Sequence, residues 1–336
     1  MNIVRERLAF WASRAKSHRQ RLEATGGLKR YEWWELEYFE APYLTLASSD
    51  FIHRRFIDHF HNIVRLNKIG QLTPVPQDED EHRLLLPIFT HLNLEINTRG
   101  RPSVDLIKAA NSELDKYFVS GPPTGVSLFS TYPESLPDVI VKFSQHKFLD
   151  RMIELGEIRM TPASHYAKGS LLKAQKDLET DREFLIDASA EALDGQDHVL
   201  VGGRKVKIRD GFASLTIRRS DYLLWSACLD IDRRLPTDFD CRAAIIIRDP
   251  IAFKARLEAG VQKCWPGSRI WHGPVQYYDP CSFAARKFDP MTIKHFSYFY
   301  QREWRLCAVP SKMPSEPQNI LIGSLADIAD VVAVGR

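Results

Sequence analysis

Cysteine is scarce in this 336-residue sequence: Cys228, Cys241, Cys264, Cys281 and Cys307 are all there is. They are odd in number and contain no C-x-x-C pair, which argues against a disulfide frame or a zinc site and for reduced core thiols in a cytoplasmic protein. No G-x-x-x-x-G-K-[ST] occurs, so a P-loop phosphate cradle is excluded, and Val201-Gly-Gly-Arg204 lacks the spacing of a dinucleotide fingerprint and reads as a hairpin turn. G-x-S-x-G and H-E-x-x-H are missing too, which leaves the common hydrolase and metalloprotease classes without a signature. Nor is there a long apolar run. The start passes from Met1 through Leu8, Phe10 and Trp11 into basic residues, too short and too polar for a signal peptide or a membrane span, so no membrane partner is expected. Charge of one sign is lacking as well: 46 basic residues meet 43 acidic ones, and a net charge of +3 neither demands nor excludes nucleic acid. Repeats, heptads and low-complexity tracts are absent.

What is present is 44% hydrophobic and 11% aromatic, the composition of a globular protein with a sizeable core. Residues 1–24 read as an amphipathic helix stopped by Gly26-Gly27, its Arg14, Lys16, His18, Arg19 and Arg21 forming a solvated face rather than a nucleic-acid surface. An aromatic and acidic element over 31–43 docks on it. Helical spacing covers 51–70, where His59 and His61 point to different sides and are read as packing or surface histidines, not metal ligands. A proline-led acidic loop spans 73–81, an apolar stretch spans 82–96, and Ser103 N-caps a helix through about Phe118. The glycine and proline cluster at 120–125 divides a mainly helical segment, 1–120, for recognition or regulation, from an α+β segment, 121–336, that would carry catalysis.

In the second segment, short pieces accumulate. A strand at 138–144, a helix at 145–155 capped by Gly156 and a returning strand at 157–160 are followed by a charged helical piece at 174–183. Strands are expected at 212–218, 222–229 and, apolar and central, 243–247. Asp249-Pro250 starts a helix over 251–259, an edge-like strand covers 274–280, and short strands close the chain at 320–324 and 331–334. The most informative stretch is 295–310. Read with a period of two as one strand, it puts Tyr298, Tyr300, Trp304 and Leu306 on one face and Gln301, Glu303 and Arg305 on the other. The plain reading is a half-buried strand with a solvated polar face; the sharper one is a catalytic strand with Glu303 as its acting carboxylate.

Gln301-x-Glu303 resembles the motif of mono-ADP-ribosyltransferases, and residues 138–310 resemble a bacterial domain family of uncharacterised function from phage-defence and mobile-element settings. The pieces that carry the likeness are KFSQHKFLDRMIELGEIRMTPASHY, the acidic segment around Asp177 to Glu183, LLWSACLD, FDCRAAIIIRDPIAFKARL, YYDP and the closing K…FSYFYQREWR. Members often carry an Asn-Asp-Pro turn where this chain has Lys176-Asp177-Leu178. The family looks distantly related to ADP-ribosyltransferase toxins. That resemblance implies a mixed, split sheet with NAD as substrate. Glu303 would hold the ribose and steady the cationic sugar, Gln301 would orient the acceptor, and Lys142 and Ser144 would bind the diphosphate. Ser226, behind a core Trp225, would support the glutamate. His165 and Tyr166 would clamp a base, and Arg305 would contact the cofactor or pair with Glu303. The implied partners are a nucleic acid or protein target and an antitoxin or regulatory protein. Two alternatives stand beside it: a non-catalytic nucleic-acid- or partner-binding component using the aromatics and arginines of 296–305, and a metal-dependent nuclease using Asp177, Glu179 and Glu183.

Overall fold

The first helix, α1 (Asn2–Thr25), ends at Gly26, which takes the left-handed conformation with φ of 72°. Helix α2 (Arg30–Glu40) lies along it, with Trp11, Leu36, Tyr38 and Phe39 buried between them. The basic face expected to be solvated is partly spent on α2. Arg19 meets Glu40 at 2.7 Å, Arg21 pairs with Glu32, and His18 is buried against Glu35 at 3.0 Å. Helix α3 (Ser49–Asn62) is N-capped by Ser48, and it stops eight residues short of the expected end because Ile63-Val64 opens a small hairpin, β1 (Val64–Leu66) with β2 (Leu72–Pro74). Helices α4 (Leu85–Thr98) and α5 (Val104–Asp115) complete this part, the latter capped by Ser103 Oγ and ending before Phe118. The computed structural model describes residues 2–75, 84–100, 102–119, 121–167, 172, 174, 177–282 and 289–334. Most of the acidic loop at 73–81, Ser120 of the boundary cluster, and Gln175 and Lys176 of the charged piece lie outside them.

Short α6 (Thr124–Leu128) leads into the principal sheet, of eight strands. These are β3 (Ile140–Ser144), β4 (Glu157–Pro162), β9 (Leu223–Cys228), β10 (Ala243–Ile247), β11 (Arg269–Pro274), β14 (Glu303–Val309), β15 (Gln318–Leu321) and β16 (Ala329–Ala333). Their order is β11-β14-β9-β3-β10-β16, with β4 bridging β9 and β15, and every pairing is antiparallel. This is the α+β class expected, but the principal sheet is antiparallel throughout rather than mixed. Helices α7 (His146–Leu155) and α10 (Pro250–Cys264) press Leu149, Met152, Phe253, Leu257 and Val261 onto one face. The opposite face packs Val141, Phe143, Ala244 and Ile246 against Phe129, Ile231 and Leu235, the last from α9 (Leu235–Asp238). Covered on both faces, β10 is wholly apolar, yet it is next to the edge strand β16 rather than central.

The charged piece at 174–183 is not helical where it is described: residues 177–180 are irregular and Asp181 opens a strand. That strand, β5 (Asp181–Asp187), joins β6 (His198–Val201), β7 (Arg204–Arg209) and β8 (Phe212–Arg218) in a second sheet ordered β5-β8-β7-β6, with α8 (Ser189–Leu193) between β5 and β6. Gly202 and Gly203, with φ of 56° and 79°, make the hairpin turn that the sequence predicts. The edge-like strand is β12 (Gln276–Tyr278), paired in parallel with β13 (Ile293–His295).

The largest departure concerns 295–310. A 3₁₀ helix occupies Phe296–Gln301, Arg302 turns the chain at φ 43°, and β14 begins only at Glu303. Phe296 and Phe299, three apart, share one side of that helix and sink into the cluster of α1–α4, where Phe212 joins them. One apolar cluster thus spans the helical and α+β segments. Both faces of β14 are buried from Glu303 to Ala308, so it has no solvated polar face. No helix among the described residues is long and apolar enough to cross a membrane.

Candidate active site

Strand β9 offers its second edge to two partners. Leu223 and Leu224 pair with Pro162 and Thr161 of β4, whereas Cys228 pairs with Val141 of β3. Between these contacts β3 and β4 part, and α7 carries the chain from one to the other. Gly156 makes that return possible: it sits at φ 64°, and a Cβ there would lie 2.0 Å from the Gly323 carbonyl oxygen. The gap opens into a cleft of about 920 Å³. Lys142, from β3, crosses it to donate to the Ser226 carbonyl at 2.6 Å, with its ammonium 5.4 Å over the Trp225 ring. Burial disfavours that charge and lowers the lysine's pKa, outweighing the negative charge of Cys228 and Glu303, which acts the other way.

Across the cleft stands Glu303, the first residue of β14 and 5% exposed. Its N–H donates to the Tyr277 hydroxyl at 2.9 Å. One carboxylate oxygen accepts from Arg305 Nε at 2.6 Å, and the other accepts from Lys294 Nζ at 2.6 Å. Burial would raise this carboxyl; Arg305 and Lys294 more than offset it and hold the pKa below its ordinary value. Lys294 also donates to Gln301 Oε1 at 3.1 Å, while Gln301 Nε2 donates to the Ala174 carbonyl at 2.9 Å. Glutamine and glutamate are therefore tied through one ammonium. Behind them Arg305 binds Glu179 at 2.8 Å, and Glu179 continues to Arg182 at 2.7 Å, which reaches Asp177 at 3.2 Å.

Seven of the eight site residues expected from the sequence line this one cleft: Lys142, Ser144, Ser226, His165, Tyr166, Gln301 and Glu303. His165 donates from Nε2 to the Ser315 carbonyl at 3.0 Å, and burial pushes the Tyr166 hydroxyl up to about 12. Arg305, the eighth, does not line it. It is fully buried as the link between Glu303 and Glu179, the salt-bridge role that the sequence also allowed. Trp225 is core, edge-on to Trp304 at 6.1 Å. Asp177, Glu179 and Glu183 do not converge: two answer Arg182, while Glu183 accepts from Ser214 Oγ at 2.5 Å on the other sheet. No group of three His, Cys, Asp or Glu side chains suited to a metal exists among the described residues. The proposed 296–305 strip is mostly interior, with Phe296, Phe299, Trp304 and Arg305 all buried.

Sequence reasoning included Lys294 in its closing motif but gave it no role. It precedes Glu303 by nine residues, on a strand whose parallel partner β12 gives no local signal, and a lone lysine ordinarily marks a surface. Arg159 and Asn319, which line the same cleft from β4 and β15, were also unforeseen. No family model, curated protein or solved structure matches this chain.

Proposed function

We propose that this chain consumes NAD and transfers ADP-ribose to a nucleic-acid or protein target, as a toxin or phage-defence effector in a bacterial cytoplasm. The observation that carries the reading is that an ionised, buried Glu303 and a buried Lys142, which has no ion-pair partner within bonding distance among the described residues, line one cleft in a split of the sheet. A cleft with a fixed anion on one side and a desolvated cation on the other suits a ligand that is anionic at one end and develops positive charge at the other.

In that reaction the bond between ribose C1 and the nicotinamide nitrogen breaks, and its electron pair leaves on nicotinamide, which becomes neutral. The ribose is left as an oxocarbenium ion beside Glu303. An acceptor lone pair then bonds to C1, and the acceptor loses its proton to solvent. Lys294 and Arg305 keep Glu303 deprotonated and fixed before the charge develops, so little reorganisation is required at that moment. Gln301, fixed by Lys294 and the Ala174 carbonyl, would orient the acceptor from beside Glu303.

Incubating the protein with labelled NAD and a bacterial lysate, and following nicotinamide release and label transfer, tests the reading. Glu303→Gln should cut both by about 100-fold or more. Lys142→Met should raise KM for NAD without lowering stability, since it removes a poorly compensated buried charge. Equal nicotinamide release by wild type and Glu303→Gln, or none from either, would remove Glu303 from this role.

A further inference from the structure

Strands β6 and β7 form an arm that the cleft does not explain. Only Ile208 and Arg209 of β7 pair with β8, so the hairpin leaves the second sheet after two residues. At its tip nothing comes within 4 Å of a Cβ built on Gly202 or Gly203; the turn stands in open space. Residues 198–209 contain Arg204, Lys205, Lys207 and Arg209 and no carboxylate. All four cations are exposed, and among the described residues none forms an ion pair. Of the two acids that flank the arm in sequence, Asp197 hydrogen-bonds His198 at 2.6 Å and feels the charge of Lys207 without pairing with it, and Asp210 accepts from Ser48 at 3.1 Å. The arm thus concentrates four positive charges and no negative one, a local excess larger than the net charge of the whole chain, +3.

An isolated hairpin gains little by crowding like charges on adjacent strand positions, and edge strands use scattered lysines to prevent pairing, not a run of four cations in six residues. Register places Lys205 opposite Leu200 and Lys207 opposite His198, so one face of the ribbon presents two ammonium groups flanked by an imidazole and an exposed leucine. A two-stranded ribbon of this kind fits the major groove of a DNA duplex, whereas the A-form RNA groove is too narrow to admit it. We infer that the β6–β7 arm is a nucleic-acid contact that seats Arg204, Lys205, Lys207 and Arg209 on the phosphodiester backbone of duplex DNA. This adds a docking element distinct from the cleft. If DNA is also the acceptor in the transferase reading, the arm delivers it.

The test is fluorescence anisotropy of a labelled random-sequence DNA duplex, without NAD, across a salt series. Four phosphate contacts give a slope of log affinity against log salt of about −3.6, which is roughly a hundredfold loss between 50 and 200 mM. Lys205→Glu/Lys207→Glu lies on an exposed hairpin and leaves the fold intact by circular dichroism; it should weaken binding at least tenfold and flatten the slope by about 2. Glu303→Gln should bind as wild type does, so that failure of the cleft chemistry and failure of the arm are told apart. An unchanged slope in the double variant, absence of duplex binding at low salt, equal affinity for polyglutamate, or preference for duplex RNA would each overturn the assignment.

Discussion

Replacing Lys294 by methionine tests whether the site is organised by charge compensation. Asp177, Glu179 and Glu303 face Arg182, Lys294 and Arg305, three of each sign in one connected, buried network. Without Lys294 one negative charge is in surplus, and it falls at Glu303, which keeps only Arg305. Truncating one partner of a buried ion pair costs about 3–5 kcal/mol. Because Glu303 lines the cleft and retains its arginine at 2.6 Å, Lys294→Met belongs near the lower end, about 3 kcal/mol, measured by urea denaturation at pH 7. Wild-type Glu303 has its pKa held below the ordinary 4.5, so its contribution is present above that value and is lost as pH falls through the depressed folded one. The variant lacks part of the depression, and its deficit against wild type should narrow on acidification through that range. Lys294→Met/Glu303→Gln removes cation and anion together and should recover most of the loss. A single variant within about 1 kcal/mol of wild type, or a double variant no more stable than the single, would refute the compensation argument.

Acid should weaken the protein through three histidines. Burial above all brings His59, His91 and His295 from 6.5 to about 3, 4 and 4, so each stays neutral when folded and takes up a proton on unfolding. Stability therefore falls as pH drops from 6.5 towards 4, by about 1.4 kcal/mol per pH unit for each histidine, and His59→Leu should show the shallower slope between pH 7 and 5; parallel slopes would count against it. Gly156→Ala combines a left-handed backbone with the Gly323 carbonyl clash and should cost about 3 kcal/mol or more, whereas Gly195→Ala, at φ 80° in open space, should cost about 1 kcal/mol. Equal denaturation midpoints for the two variants would discount the close approach.

The unit β3-α7-β4 was legible because every local signal agrees: a short apolar strand, a helix with one apolar side, and a glycine where the left-handed cap falls. Glu303, Gln301 and Lys142 could be nominated from residue type and motif. Their shared cleft is the part that the fold supplies. The alternation in 295–310 misled because aromatic residues at 296, 298 and 300 satisfy a period of two as well as Phe296 and Phe299 satisfy a period of three. Only the cluster beneath them, contributed mainly by helices far earlier in the chain, decides between the two. Arg302 adds to this, since its left-handed turn is fixed by distant partners: its carbonyl accepts from Leu229 N at 2.9 Å and its guanidinium reaches Asp230 at 2.9 Å. Lys294 was illegible for the same reason, because a lysine becomes a site residue only when the glutamate it meets is known.

The divided edge of β9 leaves one residue in the middle of the principal sheet without a ladder partner on that side. Ser226 turns its carbonyl to Lys142, and along a strand the N–H of a residue points to the same side as its carbonyl, so that amide also faces the cleft. A central strand thereby carries an edge-like amide, whose hydrogen exchange is fast when the cleft is open to water and slows when a carbonyl of any occupant completes the bond. The fold thus contains its own isotopic reporter of occupancy, readable residue by residue without turnover.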